Sequence, residues 1–177
     1  AKRLGIDAFL TQETELPFPV NALGFRDQAR FHPLRFLDAV AEPLSCLVSV
    51  ASKLRLEKAG DTVAVVGTGY MGLGLMTLLR LQGAGRIIAV DPRPEARENA
   101  ERFGADELYT PEQLPSRYLV TEWNDEMYRK GLPLVAEFAG TQSALTLAGE
   151  MTAIHGTLGI AGWHQGGPRT LDLRLWG

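Results

Sequence analysis

At 177 residues, 45% of them hydrophobic, the chain can bury one sizeable core and reads most simply as a single domain. Its formal net charge of −3 gives no footing to nucleic acid or to an anionic membrane, so neither is expected as a partner. The single cysteine, Cys46, excludes a disulfide within the chain and points to a reducing, cytoplasmic setting. No run approaches the roughly eighteen apolar residues of a membrane span, and Lys2, Arg3, Asp7 and Glu13 interrupt anything resembling a signal peptide.

Residues 1–35, with Pro17, Pro19 and Pro33, show neither helical nor alternating periodicity and are expected to be an irregular arm. From Phe36 the pattern turns helical, and residues 36–177 are expected to form the domain proper. Glu42-Pro43 reads as a helix start, followed by Leu44, Leu47, Val48, Ala51 and Leu54 at helical spacing. Gly60-Asp61 ends that segment.

Strands and helices then alternate. Thr62–Gly67 is an apolar β-rich run, Tyr70–Leu81 is helical, and Gly83 and Gly85 stop it. "RIIAVD" (86–91) predicts a second strand and residues 94–103 a polar helix opened by proline. Residues 107–109 predict a short third strand. Two short helical pieces are expected around "PEQL" and "EWNDEMYRKG". "LPLVAEFA" (132–139) predicts a fourth strand, residues 143–154 a helix, and "GTLGIAG" (156–162) a fifth strand. Continuous apolar strands alternating with helices describe an α/β fold, a doubly wound parallel sheet covered on both faces. The count is about five strands, one short of the common six, so an unfinished sheet edge is expected. Such an edge invites self-association as a homo-oligomer, or coverage by the C-terminal tail.

Glycine inside a strand or helix is destabilising by roughly 0.5–1 kcal/mol relative to alanine, so four glycines in "AVVGTGYMGLGLM" (64–76) require a reason. Gly67, Gly69 and Gly72 spell G-x-G-x-x-G where the first strand meets the first helix. Alone that spacing is weak. Here a strand precedes it, an apolar helix follows it, and an acidic residue, Asp91, closes the next strand. In that setting Gly67 allows the tight turn, Gly69 admits a pyrophosphate to the backbone, and Gly72 lets helix and sheet approach. The helix N-terminus offers N–H groups and partial positive charge to the phosphates. Asp91 would receive the adenosine ribose hydroxyls and repel a 2′-phosphate, which favours NAD over NADP; Arg93 stands close enough to soften that preference. The candidate cofactor residues are thus Gly67, Thr68, Gly69, Tyr70, Met71, Gly72, Asp91 and Arg93. A tight turn with an unrelated acidic residue is the purely structural alternative.

The run from "EPLSCLVSV" through "AVVGTGYMGLGLM" to "ADELYT", with "LVAEFAGTQSALTLAGEMTAIHGTLGIAGWHQ", resembles the medium-chain, zinc-type alcohol and polyol dehydrogenases over about residues 41–166. The resemblance implies a Rossmann-like cofactor domain and hydride transfer between an alcohol or polyol and NAD. It also implies that Ala139, Gly140 and Thr141 lie against the cofactor and that Ala161, Gly162 and Trp163 approach the nicotinamide.

Departures from that pattern are informative. The family carries a catalytic zinc in a separate N-terminal domain, held by a cysteine and a histidine–glutamate pair. Here one cysteine and three scattered histidines, His32, His155 and His164, offer no ligand spacing, so zinc is expected in the parent enzyme and not in this chain. Glu42 matches the family's Glu-Pro motif but cannot hold a metal alone, and reads equally well as an acidic group at a helix start. Cys46 is expected in the core. His164, beside the expected nicotinamide end, is the one candidate proton carrier, with an ordinary loop histidine as the alternative. Trp123, Trp163 and Trp176 are expected to cover apolar edges. Two functions remain open: the NAD(H)-binding domain of a dehydrogenase whose isolated chain is inactive, or a non-catalytic NAD-binding redox-sensing or scaffold module.

Overall fold

The computed structural model describes residues 33–175, with side chains from residue 41, and divides into two units, Ala1–Ser45 and Cys46–Gly177. The arm expected over residues 1–35 lies almost wholly outside the described residues, as do His32 and Trp176. In the first unit the description starts with the opening of α1 (Pro33–Lys53). Pro43 sits inside this helix and does not start it. A proline there removes one N–H bond, but its fixed φ is already helical, and the chain carries through. The Ser45 hydroxyl donates to the Glu42 carbonyl at 2.7 Å.

The second unit is built on strands β1 (Thr62–Val66), β2 (Arg86–Val90), β3 (Glu107–Tyr109), β4 (Leu132–Glu137) and β5 (Thr152–Ile160). All pair in parallel in the order β3-β2-β1-β4-β5. Because side chains alternate across a strand, each strand feeds two cores. Val63, Val65, Ile87, Ala89, Leu134 and Ala136 meet Leu47, Ala51 and Leu54 together with Leu75, Met76 and Leu79 of α2 (Tyr70–Leu81). On the other face Ala64, Val66, Ile88, Val90 and Val135 meet Ala148 and Met151 of α4 (Gln142–Met151) and Tyr118. Full burial of a side chain such as Leu75 or Leu79 contributes about 1.5–3 kcal/mol. Between β2 and β3 runs α3 (Pro94–Arg102), a polar helix whose Ala96 and Ala100 alone are buried.

Several expectations shift. On α1 the inward face is Leu47 and Ala51, with Leu54 just beyond, while Leu44 and Val48 are exposed. Cys46 is exposed as well, since one residue before Leu47 on a helix points about 100° away from it. Residues 111–131 contain three short 3-10 turns, Pro111–Gln113, Ser116–Tyr118 and Asp125–Arg129. The helix expected to reach residue 154 ends at Met151, and β5 begins at once. There the Thr152 hydroxyl donates to the Ala148 carbonyl at 2.8 Å, and Leu132 pairs with Thr152. The register then slips between Leu132 and Leu134, with His155 at φ 62° in the irregular stretch. Trp123 and Trp163 are 61% and 82% exposed, so among the described residues they cover no apolar edge.

At the end of the sheet opposite the glycine turn, Arg80 in the last turn of α2 gathers several turns. Its Nη1 donates to the carbonyls of Ala84 (2.7 Å) and Gly85 (3.1 Å), and its Nη2 to the Gly104 carbonyl (2.9 Å) and the Asp106 carboxylate. Asp106 in turn accepts the Ile87 N–H at the start of β2. No helix among the described residues is long and apolar enough to cross a membrane.

Candidate functional site

The strand order switches sides at β1, with β2 and β3 laid down on one side of it and β4 and β5 on the other, which opens a crevice at the strands' carboxyl ends. A cleft of about 750 Å³ lies there, within the range of small-molecule and cofactor sites. Its walls include Gly67, Gly69, Asp91, Arg93, Ala139 and Thr141, all expected from the sequence, with Val66, Val90, Pro92, Pro111 and Leu147 supplying apolar surface.

The three motif glycines differ in what requires them. Gly67 has φ 92°, and a Cβ there would lie 2.6 Å from the Ala139 nitrogen, so the turn and the approach of β4 both need a bare backbone. A Cβ on Gly72 would collide with the Gly67 carbonyl oxygen. Gly69 is unlike both. Its φ of −74° and ψ of −170° suit any residue, and a Cβ there would meet nothing nearer than the Arg93 guanidinium at 3.9 Å. Packing among the described residues does not call for glycine at 69; an object in the cleft would.

Gly69 is the N-cap of α2, and no side chain caps it. The N–H groups and positive pole of this helix end therefore face a position where an anion can be received. Behind the turn, the Thr68 N–H donates to Asp91 Oδ2 at 2.9 Å and its hydroxyl to the Ala96 carbonyl at 3.3 Å. Tyr70 and Met71 follow in the helix without lining the cleft; Met71 packs against the core, and burial raises the Tyr70 phenol above its ordinary pKa.

Asp91 is only 3% exposed at its side chain. Oδ1 accepts the Arg93 backbone N–H and Nε, both at 3.0 Å, and Oδ2 accepts Arg93 Nη2 at 2.9 Å. Burial pushes this carboxyl up, but the Arg93 and Thr68 bonds outweigh it and hold the pKa below its usual value. The ionised carboxylate is thus secured. Arg93 is 56% exposed at its side chain and lines the cleft.

On the far side of β1, the end of β4 turns through Phe138 to Thr141. Thr141 caps α4 by accepting the Ala144 N–H at 3.2 Å. Gly140 is buried at φ 69°, its backbone pressed against the Trp163 carbonyl. Ala161 and Gly162 do not line the cleft; both donate backbone N–H groups to the Glu137 carbonyl, at 2.9 and 2.8 Å.

Glu137 itself was not singled out from the sequence. It is fully buried; Oε1 accepts the N–H groups of Ala139 (2.8 Å) and Gly140 (2.7 Å), and Oε2 is 2.9 Å from His164 Nε2. Arg169 Nε donates to His164 Nδ1 at 3.3 Å. The available signal was an acidic residue ending a continuous apolar run, "LPLVAEFA". Nothing marked Arg169. His164 is engaged with Glu137 rather than presented freely to the cleft.

Among the described residues no ligand set for zinc assembles. Cys46 and Glu42 are exposed on α1, His155 is on β5 and His164 is held by Glu137, and among the described residues no group of three such side chains could hold a metal ion.

Residues 71–175 match the zinc-binding dehydrogenase family. Alcohol dehydrogenase 2 of Zea mays is 35% identical over 137 residues, which are 75% of this chain and 35% of that enzyme. Among solved structures, a protein described as a zinc-binding dehydrogenase of Sinorhizobium meliloti, bound to NADP, superposes with a TM-score of 0.64 at 28% identity. That match covers 77% of this chain and 40% of the other. An alcohol dehydrogenase of Thermus sp. ATN1 gives 0.58 at 32% identity, with coverages of 73% and 36%. The chain therefore spans well under half the length of the relatives it matches. With the parallel sheet, the glycine turn and Asp91 in place, the chain belongs to the alcohol dehydrogenase-like, medium-chain branch of the zinc-binding dehydrogenases.

Proposed function

We propose that this chain provides the NAD(H)-binding domain of an oxidoreductase that moves hydride between an alcohol or polyol and the nicotinamide ring. The observation that carries the reading is Gly69: a glycine that neither its backbone angles nor its neighbours require, at an uncapped helix N-terminus, in the wall of a cofactor-sized cleft. The cofactor supplies the hydride chemistry when bound; the chain supplies binding and orientation. The N–H groups at the start of α2 receive the pyrophosphate. Asp91 receives the adenosine ribose diol as Arg93 gives way, and Pro92, Pro111 and Leu147 offer apolar surface to the base. The backbones of 139–141 and 161–162 fix the wall beyond the pyrophosphate. The NADP-bound relative and the Arg93 guanidinium both bear on the 2′ position. A 2′-phosphate would meet the Asp91 charge, and Arg93, once released, would offset part of it. NAD(H) is therefore preferred by a modest margin.

Fluorescence titration with NADH and NADPH tests both levels. Tighter binding of NADH is expected. Equal or tighter NADPH binding overturns the preference, and no binding of either overturns the dinucleotide reading.

A further inference from the structure

The strand order places the two halves of a dinucleotide on opposite sides of the β1 turn. With the pyrophosphate at the start of α2 and the adenosine ribose at Asp91 on the β2 side, the second nucleoside must extend over the ends of β4 and β5. The backbone there is held by a bonded chain of three side chains from distant parts of the sequence. Glu137 binds two N–H groups of its own loop through Oε1 and accepts two more from Ala161 and Gly162 through its carbonyl. Its remaining oxygen faces His164. Arg169 closes the chain: Nε on His164, Nη2 on the Gln165 carbonyl and, at 3.5 Å, on the Gly140 carbonyl. The fit leaves no slack, since a Cβ on Gly162 would lie 2.6 Å from Glu137 Oε2. The segment after Arg169 is secured separately, where the Gln142 amide exchanges two hydrogen bonds with the Thr170 backbone.

Resting on the dinucleotide reading above, we infer that Glu137, His164 and Arg169 form a positioning relay for the nicotinamide half of the cofactor, and that the relay holds only with His164 neutral. The reason is donor bookkeeping. A guanidinium Nε–H can only donate, so His164 Nδ1 must present its lone pair to Arg169. Nε2 then carries the ring proton and donates it to the acceptor-only carboxylate of Glu137. A second ring proton would set N–H against N–H and cation against cation. Among the described residues, Glu137 on β4 and Arg169 on the C-terminal segment are the charged groups bonded to this ring. Protonation keeps the Glu137 contact and expels Arg169. The Gly140 carbonyl and the loop carrying Trp163 and His164 then lose their outer brace, while Asp91 and the glycine turn are untouched.

The probes are NADH and ADP-ribose, which share the adenosine and pyrophosphate but differ in the nicotinamide ring. His164→Leu should weaken NADH about tenfold and ADP-ribose by less than about twofold, the size of one or two lost hydrogen bonds. His164→Gln, whose amide can donate to Glu137 and accept from Arg169, should restore most of the loss. Arg169→Gln, on a partly exposed side chain, provides a second handle should the leucine variant not fold; it should lower the NADH affinity relative to ADP-ribose. Equal losses for the two probes overturn the relay, as does a glutamine variant no better than leucine. Failure of both probes to bind the wild type removes the dinucleotide reading as well.

Discussion

The β1–β2 side of the cleft and the β4–β5 side fix their backbones by different means. On the first side glycines set the shape: Gly67 turns the chain at a positive φ, Gly72 admits the helix, and Gly69 leaves the wall bare. Its one charged pair, Asp91 with Arg93, faces the cleft at a half-exposed guanidinium. On the second side the fully buried Glu137 does the work: its carboxylate takes two N–H groups of its own loop and meets His164, and its backbone carbonyl takes those of Ala161 and Gly162. Local backbone freedom serves where a ligand must come close. Long-range bonding serves where two loops must be kept together.

The comparison breaks most sharply at its glycines. Gly72→Ala should destabilise the fold by about 3 kcal/mol, because the new methyl group strikes the Gly67 carbonyl and neither backbone can move freely. Gly69→Val should change stability by less than about 1 kcal/mol, as an N-cap position with open space around it. It should nevertheless reduce NADH affinity about a hundredfold by filling the approach to the helix N-terminus. Urea midpoints and a binding isotherm for each variant check the pair; a Gly69→Val protein that is folded and binds NADH normally would show that the motif serves packing alone.

Acid titration sharpens the electrostatic side. Asp91, Asp106 and Glu107 all have lowered pKa values; burial raises each, but hydrogen bonds and neighbouring arginines more than offset it. A carboxyl with a depressed folded pKa contributes stability that is fully present above its unfolded value, about 3.9 for Asp and 4.3 for Glu, and is lost as pH falls through the folded value. Stability measured by urea should therefore be level from about pH 6 to about pH 5 and fall below about pH 4. Asp91→Asn should fall less steeply over the same acid range. An equal slope in the variant counts against the Asp91 contribution.

The smallest expected effect concerns the ribose. Arg93→Ala frees Asp91 for the diol and removes the guanidinium bonded to its carboxylate, which would stand near a 2′-phosphate. The ratio of NADPH to NADH dissociation constants should rise about threefold to fivefold, the scale of an exposed charge contact. A falling ratio would mean that Arg93 opposes the phosphate rather than assisting it.

Much of the fold was legible because its strands are continuous apolar runs that nothing but a doubly covered sheet can use. The order of αβ elements and the turn at Gly67 follow from that and from glycine's conformational range. What was not legible depended on partners distant in sequence. Pro43 marks a helix start by local rule, yet a proline already at helical φ can sit inside one. The boundary between α4 and β5 is decided by pairing of Thr152 with Leu132, twenty residues away, and not by the apolar spacing that carries on to Ile154. Cys46 shares its stretch with buried Leu47, but a helix separates neighbours by angle. In the candidate site, Gly67, Gly69, Asp91 and Arg93 could be named because their spacing is local to one βαβ unit. His164 could be named as well, but its partners Glu137 and Arg169 could not, since the three meet only after β5 and the turn beyond it have formed.

Arg80 gives the glycine turn a consequence at a distance. It lies at the opposite end of α2 and binds the carbonyls of Ala84 and Gly85 in one turn and of Gly104 in another, so the helix is moored at its carboxyl end and free of side-chain capping at its amino end. Its amide groups are aligned before any phosphate arrives, and the entropy of aligning them is lost during folding rather than at the encounter. Loosening that mooring would slow nothing at the cleft directly, yet every arriving anion would meet a wavering dipole instead of a still one.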